Sequence, residues 1–409
     1  MANAIEQIGA VTAMNLRNIP ERWSSSLVAV LGIGGVTLVL VSLLSIGAGF
    51  SKALEGSGSA DTAMIMRSGS ASEMQSYFGP EQVTALNDIN GIARNDKKEP
   101  LISGEVFGVV SAQMKTKDSS ANLPLRGVGP NAFLLRKHFK LVKGRMFKPG
   151  TSEIIVGEGA AEQFVIVEGK GAAMRILPFD VGNKVRWLNT DWQIVGRFTD
   201  DGGMAESEAW ADAPVVQQAW QRGPVVQTVR ARLADGVPLK TLKDALSKDS
   251  RFSVDVMSEK QFYADQQKAM SDIINKVGVW IGVIMGLAAL FAALNTLESA
   301  VASRVREIAT LRAMGFGAGP VVFSVLVEAM ILGAIGGLVG GVFAYVFLNG
   351  MTTSTLNFAS FSQITYAFTV TPMLLLLGIV YGLLLCLLAG ILPGVRAARL
   401  PITAGLREL

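Results

Sequence analysis

The stretch NTLESAVASRVREIATLRAMGFGAG, Asn295 to Gly319, lies between two strongly apolar runs, VGVWIGVIMGLAALFAAL (277–294) and PVVFSVLVEAMILGAIGGLVGGVFAYVFL (320–348). It carries three arginines and two glutamates. Written as a helix, Val301, Val305, Ile308 and Leu311 form one apolar stripe, at i, i+4, i+7 and i+10. Ser303, Arg304, Glu307 and Thr310 fall largely on the rest of the surface, with Arg306 at the edge between the two sets. Gly315, Gly317 and Pro320 then end the helix. A helix of about four turns placed between two apolar runs can float at lipid headgroups, arginines towards anionic lipid. It can equally fit into a groove on another protein. Periodicity leaves both open.

The flanks decide the class. Half of the 409 residues are hydrophobic, 17% are charged, and mean hydropathy is +0.39. Soluble domains average about 25% charged residues, so the composition is that of a membrane protein. The charges crowd between Lys52 and Lys276, a window that reads as an ordinary soluble domain. Residues 23–51 are 29 positions without a formal charge. That exceeds the roughly 7–15 apolar residues of a cleaved signal peptide and the ~20 needed to cross a bilayer. Four spans are expected, at 24–50, 272–298, 320–348 and 372–393. The fold class is therefore a polytopic α-helical membrane protein with four transmembrane helices and a large α+β extracytoplasmic domain (51–271, one domain or two subdomains) between helices 1 and 2.

Arginines mark the inner side. Arg304, Arg306 and Arg312 sit in segment 299–319, Arg17 and Arg22 in the first arm, and Arg396, Arg399 and Arg407 in the tail 394–409, whereas the loop 349–371 has no Lys or Arg. The positive-inside rule then places both termini and 299–319 in the cytoplasm, and the loop and domain outside. In the arm 1–23, Ile5, Ile8, Val11, Met14 and Leu16 line one side of an amphipathic helix expected to lie along the inner membrane surface.

Several chemistries drop out. His138 is the only histidine and Cys386 the only cysteine. That removes histidine-based triads, disulfides and multi-histidine metal sites. GEGAAEQF and GKGAAM lack the lysine–hydroxyl pair of a phosphate loop, so no cofactor is expected on this chain. A net charge of +4 is too small to argue for nucleic acid. The basic run RKHFKLVKGRMFKPG (136–150) reads better as a solvated strand face than as an anion patch. Trp187 and Trp192 bracket an expected hairpin and read as core. Inside the spans, Glu328 stands about 12 Å along a helix from Pro320. It is a candidate for pairing with another span or with Asn295. Gly333, Gly337 and Gly341 are spaced by four, as are Gly336 and Gly340 and again Gly378 and Gly382. This small-xxx-small spacing suits close helix packing, within the chain or across a dimer.

The run Arg304, Glu307, Ile308, Leu311, Arg312, Ala313, Met314, Gly315 resembles the R-x-x-E-I-x-x-L-[RK]-A-[ML]-G segment of the type VII ABC transporter permeases, the MacB / LolC–LolE / FtsX superfamily. VEAMILGAIGGLVGG (327–341) and the tail PGVRAARLPITAGLREL (393–409) are similar to that family too. LVKGRMF, EIIVGEGAA and DWQIVGRF are weaker echoes in the inserted domain. The tail departs mildly, with Ile and Gly in LPITAGLREL where Val/Ile–Glu–Ala is commoner. The resemblance implies a MacB-like permease with a periplasmic core domain and no fused ATPase. It would pair with a separate ATPase subunit that uses ATP and Mg, and with a second copy or a related permease. Membrane lipids surround it, and a periplasmic adaptor is a further candidate partner. Residues Val301, Arg304, Val305, Glu307, Ile308, Leu311, Arg312, Met314 and Gly315 would be the coupling helix on the ATPase. Mechanotransmission would drive export of a drug, peptide or lipid, or extraction of a lipoprotein. The competing expectations are an FtsX-like regulator of a periplasmic cell-wall enzyme and a membrane-anchored sensor.

Overall fold

The computed structural model describes residues 4–17, 23–55, 57–115, 119–169, 174–357, 362–399 and 401–402. The tail motif beyond 402, with Arg407, and Arg22 lie outside the described residues, as do the side chains of Ile5 and Leu16. Two compact units form, one from Met1–Gly49, Ser271–Met351 and Phe368–Leu409, the other from Phe50–Met270 and Thr352–Ala367.

The first unit is helical, with α1 (Ala4–Arg17), α2 (Trp23–Glu55) up to Gly49, α8 (Glu259–Ala302) from Ser271 on, α9 (Val305–Ala313), α10 (Ala318–Leu348) and α11 (Pro372–Arg399), numbered along the whole chain. Four segments are long and apolar enough to cross a membrane: Ser26–Leu54, Lys276–Ala302, Ala318–Leu348 and Pro372–Arg399. Helix α8 starts well before the expected span. Ser258 caps it by accepting a bond from the Gln261 N–H (3.1 Å), and no Gly or Pro interrupts Glu259–Val277.

Helix α10 uses its two glycine rows on two different helices. A Cβ on Gly333 would come within 2.6 Å of the Gly382 carbonyl oxygen, and one on Gly337 within 2.8 Å of Ile379 Cα, both on α11. A Cβ on Gly336 would meet Ile33 Cβ at 2.9 Å, and one on Gly340 would collide with the Gly34 carbonyl, both on α2. Gly341 stands 3.2 Å from Leu375 by the same measure. Both rows are thus consumed within the chain, where only the absence of a side chain lets the backbones approach.

The second unit is built on a 12-stranded sheet. In chain order its elements are β1 (Thr62–Arg67), α3 (Pro80–Ala85), β2 (Ile102–Met114), β3 (Ser120–Val128), α4 (Asn131–Leu135), β4 (Lys140–Gly144), β5 (Glu153–Gly157), α5 (Glu158–Gln163), β6 (Phe164–Glu168), β7 (Arg175–Pro178), β8 (Lys184–Trp187), β9 (Thr190–Thr199), β10 (Ala209–Asp212), α6 (Ala213–Ala219), β11 (Thr228–Arg232), α7 (Leu239–Lys248) and β12 (Val254–Ser258). The strand order is β12-β1-β11-β2-β3-β10-β5-β9-β4, with β6 and β7 continuing from β2 and β8 pairing β9. β10–β3 and β5–β9 are parallel, and the remaining pairs are antiparallel. Ile154 and Ile155, neighbours on β5, enter different cores, as strand alternation requires. Trp187 and Trp192 are both core residues, closing the β8–β9 hairpin through Leu188 and Asn189 at positive φ.

The loop expected at 349–371 contains a hairpin, β13 (Thr352–Asn357) and β14 (Ser362–Ala367), that belongs to the second unit. Its β-branched residues suit strands. Ile364 is buried, Thr365 N–H donates to Ser207 Oγ at 2.8 Å, and Tyr366 meets the Phe50 ring edge-on at 5.6 Å.

One face of the sheet carries charge. In the β2–β11 and β2–β3 registers Glu105 lies opposite Thr228 and Phe107 opposite Arg126, while Arg230 lies opposite Ser103. These side chains share a face, and all are buried. Arg126 donates to Glu208 (Nε–Oε2 2.7 Å), Glu73 (Nη2–Oε2 2.9 Å) and Glu105 (Nη1–Oε2 3.1 Å). Arg136 clasps Glu105 at 2.8 and 2.9 Å, and Arg230 binds Glu105 and reaches Glu259 at 2.9 Å. Burial raises the Glu105 carboxyl, but Arg136, Arg230 and Arg126 overcome this and hold it far below the usual range. Burial likewise raises Glu73, and Arg126 and Arg230 bring it down.

Two outcomes are expected. Gly340→Leu should lower thermal stability in detergent by ~1–3 kcal/mol or more through overpacking. Arg126→Met, which leaves Glu208 without its cation and removes one of the cations on Glu73 and Glu105, should cost about 3–5 kcal/mol in the unfolding of the sheet unit. Because Glu73 and Glu105 are depressed, their contribution is present above the unfolded carboxylate value of 4.5 and is lost as pH falls below it. A thermal melt across acid pH checks the sign.

Candidate functional site

The elbow between α8 and α10 begins where α8 ends. Ser303 and Arg304 make a turn, their N–H groups bonding the Ser299 and Val301 carbonyls, each at 3.0 Å. Helix α9 follows and closes on Gly315 at φ +97. The Phe316 N–H bonds the Leu311 carbonyl and the Gly315 N–H the Arg312 carbonyl, both at 3.1 Å. This is a Schellman cap, which a left-handed glycine accommodates without strain.

Arg304 turns inward. Its Nη1 and Nη2 bind Glu328 Oε2 and Oε1 at 2.8 and 3.2 Å, and both side chains are buried. This corrects two expectations. Arg304 belongs to the anchor of α9 and not to its outward face, because its position in the turn lies off the helical wheel that placed it there. Asn295 does not partner Glu328: Ala293 and Leu297 on either side of it face the core, which turns Asn295 outward, exposed.

The rest of α9 divides cleanly. Ile308 is buried against Val321, Ala397 and Val301. Val305 and Leu311 are half-buried. Arg312 Nη1 donates to the Ala398 carbonyl at 2.6 Å, tying α9 to α11, and Arg396 pairs with Glu298 of α8. Arg306, Glu307, Thr310 and Met314 are exposed on one outward surface. Helix α1 packs on this assembly and not only on a membrane surface. Val11 and Met14 line a small cavity of about 20 Å³ with Val301, Arg304, Ile308 and Glu328, and Gln7 accepts a bond from the Gly317 N–H at 3.2 Å.

A family model described as "MacB-like periplasmic core domain" matches residues 26–249, and one described as "FtsX-like permease C-terminal" matches 279–402. The chain belongs to the MacB/FtsX-type ABC permeases. Solved structures similar to the permease include the periplasmic region of MacB from Actinobacillus actinomycetemcomitans, at 14% identity and TM-score 0.36, covering 53% of this chain and 96% of that one. Another is the extracellular domain of the noncanonic ABC-type transporter YknZ from Gram-positive bacteria, at 13% identity and TM-score 0.33, covering 48% of this chain and 100% of that one. A search of curated proteins gave no match. The sheet unit between the first span and the others is the permease's periplasmic core domain, and the chain is a membrane permease subunit.

Sequence reasoning did not find the buried charges of the core domain. Their signal was present: Glu105 in ISGEVFGVV and Arg126 in LPLRGV are single charges inside apolar strands. His138 lines a cavity of the core domain, and Cys386 is buried among the helices.

Glu328→Leu alone should destabilise the helical unit by about 3–5 kcal/mol, because it leaves the Arg304 guanidinium buried and unpaired. Adding Arg304→Met should return most of that loss. Detergent melts of the single and double variants check the cycle.

Proposed function

We propose that the permease is the membrane subunit of an ATP-driven system and that the outward face of α9 docks on a separate ATPase subunit. The observation that carries this reading is the division of α9. Its apolar side and Arg304 are locked into the helical unit, while Arg306, Glu307, Thr310 and Met314 stand together in the open. A helix fixed on one side and free on the other can pass a push from a partner into the helices it is tied to. The arginine distribution supports cytoplasmic termini and a cytoplasmic α9. The ATP and Mg would be held by the partner, and the permease would work as a dimer with itself or a related permease. A core domain of MacB type supports export of a drug, peptide or lipid, or lipoprotein extraction by mechanotransmission, with a periplasmic adaptor as a further partner.

A mild-detergent pull-down of the tagged chain from its native membranes tests the docking face. An ATPase bearing a phosphate loop should co-purify with the wild type. The pair Arg306→Glu and Glu307→Lys should lose it at least tenfold, about 1.4 kcal/mol, with the melting temperature kept. Retention of the ATPase by that variant would move the docking site elsewhere. Absence of any ATPase from an intact wild-type preparation would favour a sensor.

A further inference from the structure

The core domain encloses a cavity of about 240 Å³ beside its buried charges. The cavity lies where the chain enters and leaves the domain, between residues 57–60 and the first turn of α8. These two segments are clamped. The Ser59 N–H donates to Glu259 Oε2 at 3.2 Å, and the same carboxylate takes Arg230 Nε at 2.9 Å. Ser57 Oγ accepts the Met204 N–H at 2.7 Å. Gly58, at φ +76, packs so closely that a Cβ would come within 2.9 Å of both the Glu259 backbone and the Tyr263 ring.

Asp200 lines this cavity, and Arg136, the cation that acts on it, is already clasped to Glu105. Asp200 is half-buried, and among the described residues its carboxylate makes neither an ion pair nor a hydrogen bond. From the turn before β10 come Glu206 and Glu208, and from α8 come Glu259 and Lys260. Arg126 of β3 and Arg230 of β11 also line the cavity but are already paired with Glu73, Glu105, Glu208 and Glu259. After α4, Arg136 is committed to Glu105, Lys137 pairs with Asp61, and His138 stands on the cavity wall. An ionised Asp200 therefore adds a negative charge to a cavity that Glu259, the pin of the clamp, also lines.

We propose that Asp200 is a proton-binding site whose ionisation loosens the clamp between residues 57–59 and Glu259–Tyr263. The domain's two chain connections are then held more tightly in acidic than in alkaline surroundings. Burial first, and Glu259, Glu206 and Glu208 after it, push the Asp200 carboxyl up to about 7, against the opposing Arg136. The sign follows from linkage. The closed clamp binds the proton that an opened, hydrated Asp200, at its ordinary value of 3.8, releases. The proton's contribution to closing is full below 3.8, is lost as pH rises from there through about 7, and levels off above it. Between pH 6 and pH 8 the opening constant should rise about tenfold. The device is independent of the ATP-coupling reading.

The test is hydrogen exchange of the full chain in lipid nanodiscs, followed in peptides covering 57–63 and 259–263 and corrected for the intrinsic pH dependence of exchange. Wild type should open about tenfold more at pH 8 than at pH 6. Asp200→Asn should be flat and open less than the wild type does at pH 6, and His138→Gln should keep the wild-type profile. A flat wild type, an undiminished slope in Asp200→Asn, or a slope abolished by His138→Gln would each overturn the proposal. Should Asp200→Asn fail to fold, infrared spectroscopy of the wild type decides. A protonated carboxyl band should be present at pH 6 and fade by pH 8, and its absence at pH 6 would refute the site.

Discussion

A guanidinium and a carboxylate shut away from water are held together by what separation would cost each of them. Arg304 and Glu328 use that constraint to fix α9 on α10. With the pair in place, Ile308 packs inward, Arg312 reaches the end of α11, and the polar side of α9 has only one direction left to face. The Schellman cap at Gly315 then sets the angle at which the chain enters α10. A short amphipathic helix without such an anchor would be free to slide along a lipid surface. Here it is tied into the helical unit, as the proposed docking role requires.

The core domain solves a similar problem with more charges. Arg126, Arg136 and Arg230 share Glu73, Glu105, Glu208 and Glu259 on one face of the sheet. A well-packed apolar face of the same size would stabilise at least as well. What ion pairs add is direction, since each guanidinium donates to its carboxylates at fixed angles. The network ends on Glu259, the first residue of α8, so the charges reach the place where the chain leaves the domain. Among the described residues Asp200, beside that end, is a carboxylate whose charge the network does not pair.

Much of this was legible beforehand. Four spans, the inserted α+β domain, the apolar stripe of Ile308 and Leu311, and the core role of Trp187 and Trp192 follow from hydropathy and period alone. The hairpin at 352–367 was missed because a polar, lysine-free stretch reads as a loop until its strands find Ser207 and Phe50 to pack on. The Glu328–Asn295 pairing failed because helical phase, read only locally, did not reveal that Ala293 and Leu297 point to the core. Arg304 was assigned outward because a wheel drawn through 301–314 ignores the turn that breaks it at 303–304.

The sequence by itself determined where the chain is apolar enough to cross a membrane, where it is charged, and which residue types are available for chemistry, because those properties are local sums. Only the tertiary structure decided which charges meet. Arg304 and Glu328 are 24 positions apart, and Arg230 and Glu105 are 125 apart. It also decided that the two glycine rows of α10 serve two different helices of the same chain. No period in a sequence specifies a partner across such distances. The pairing is set by which faces close packing brings together, and by the high free energy of leaving any buried charge alone.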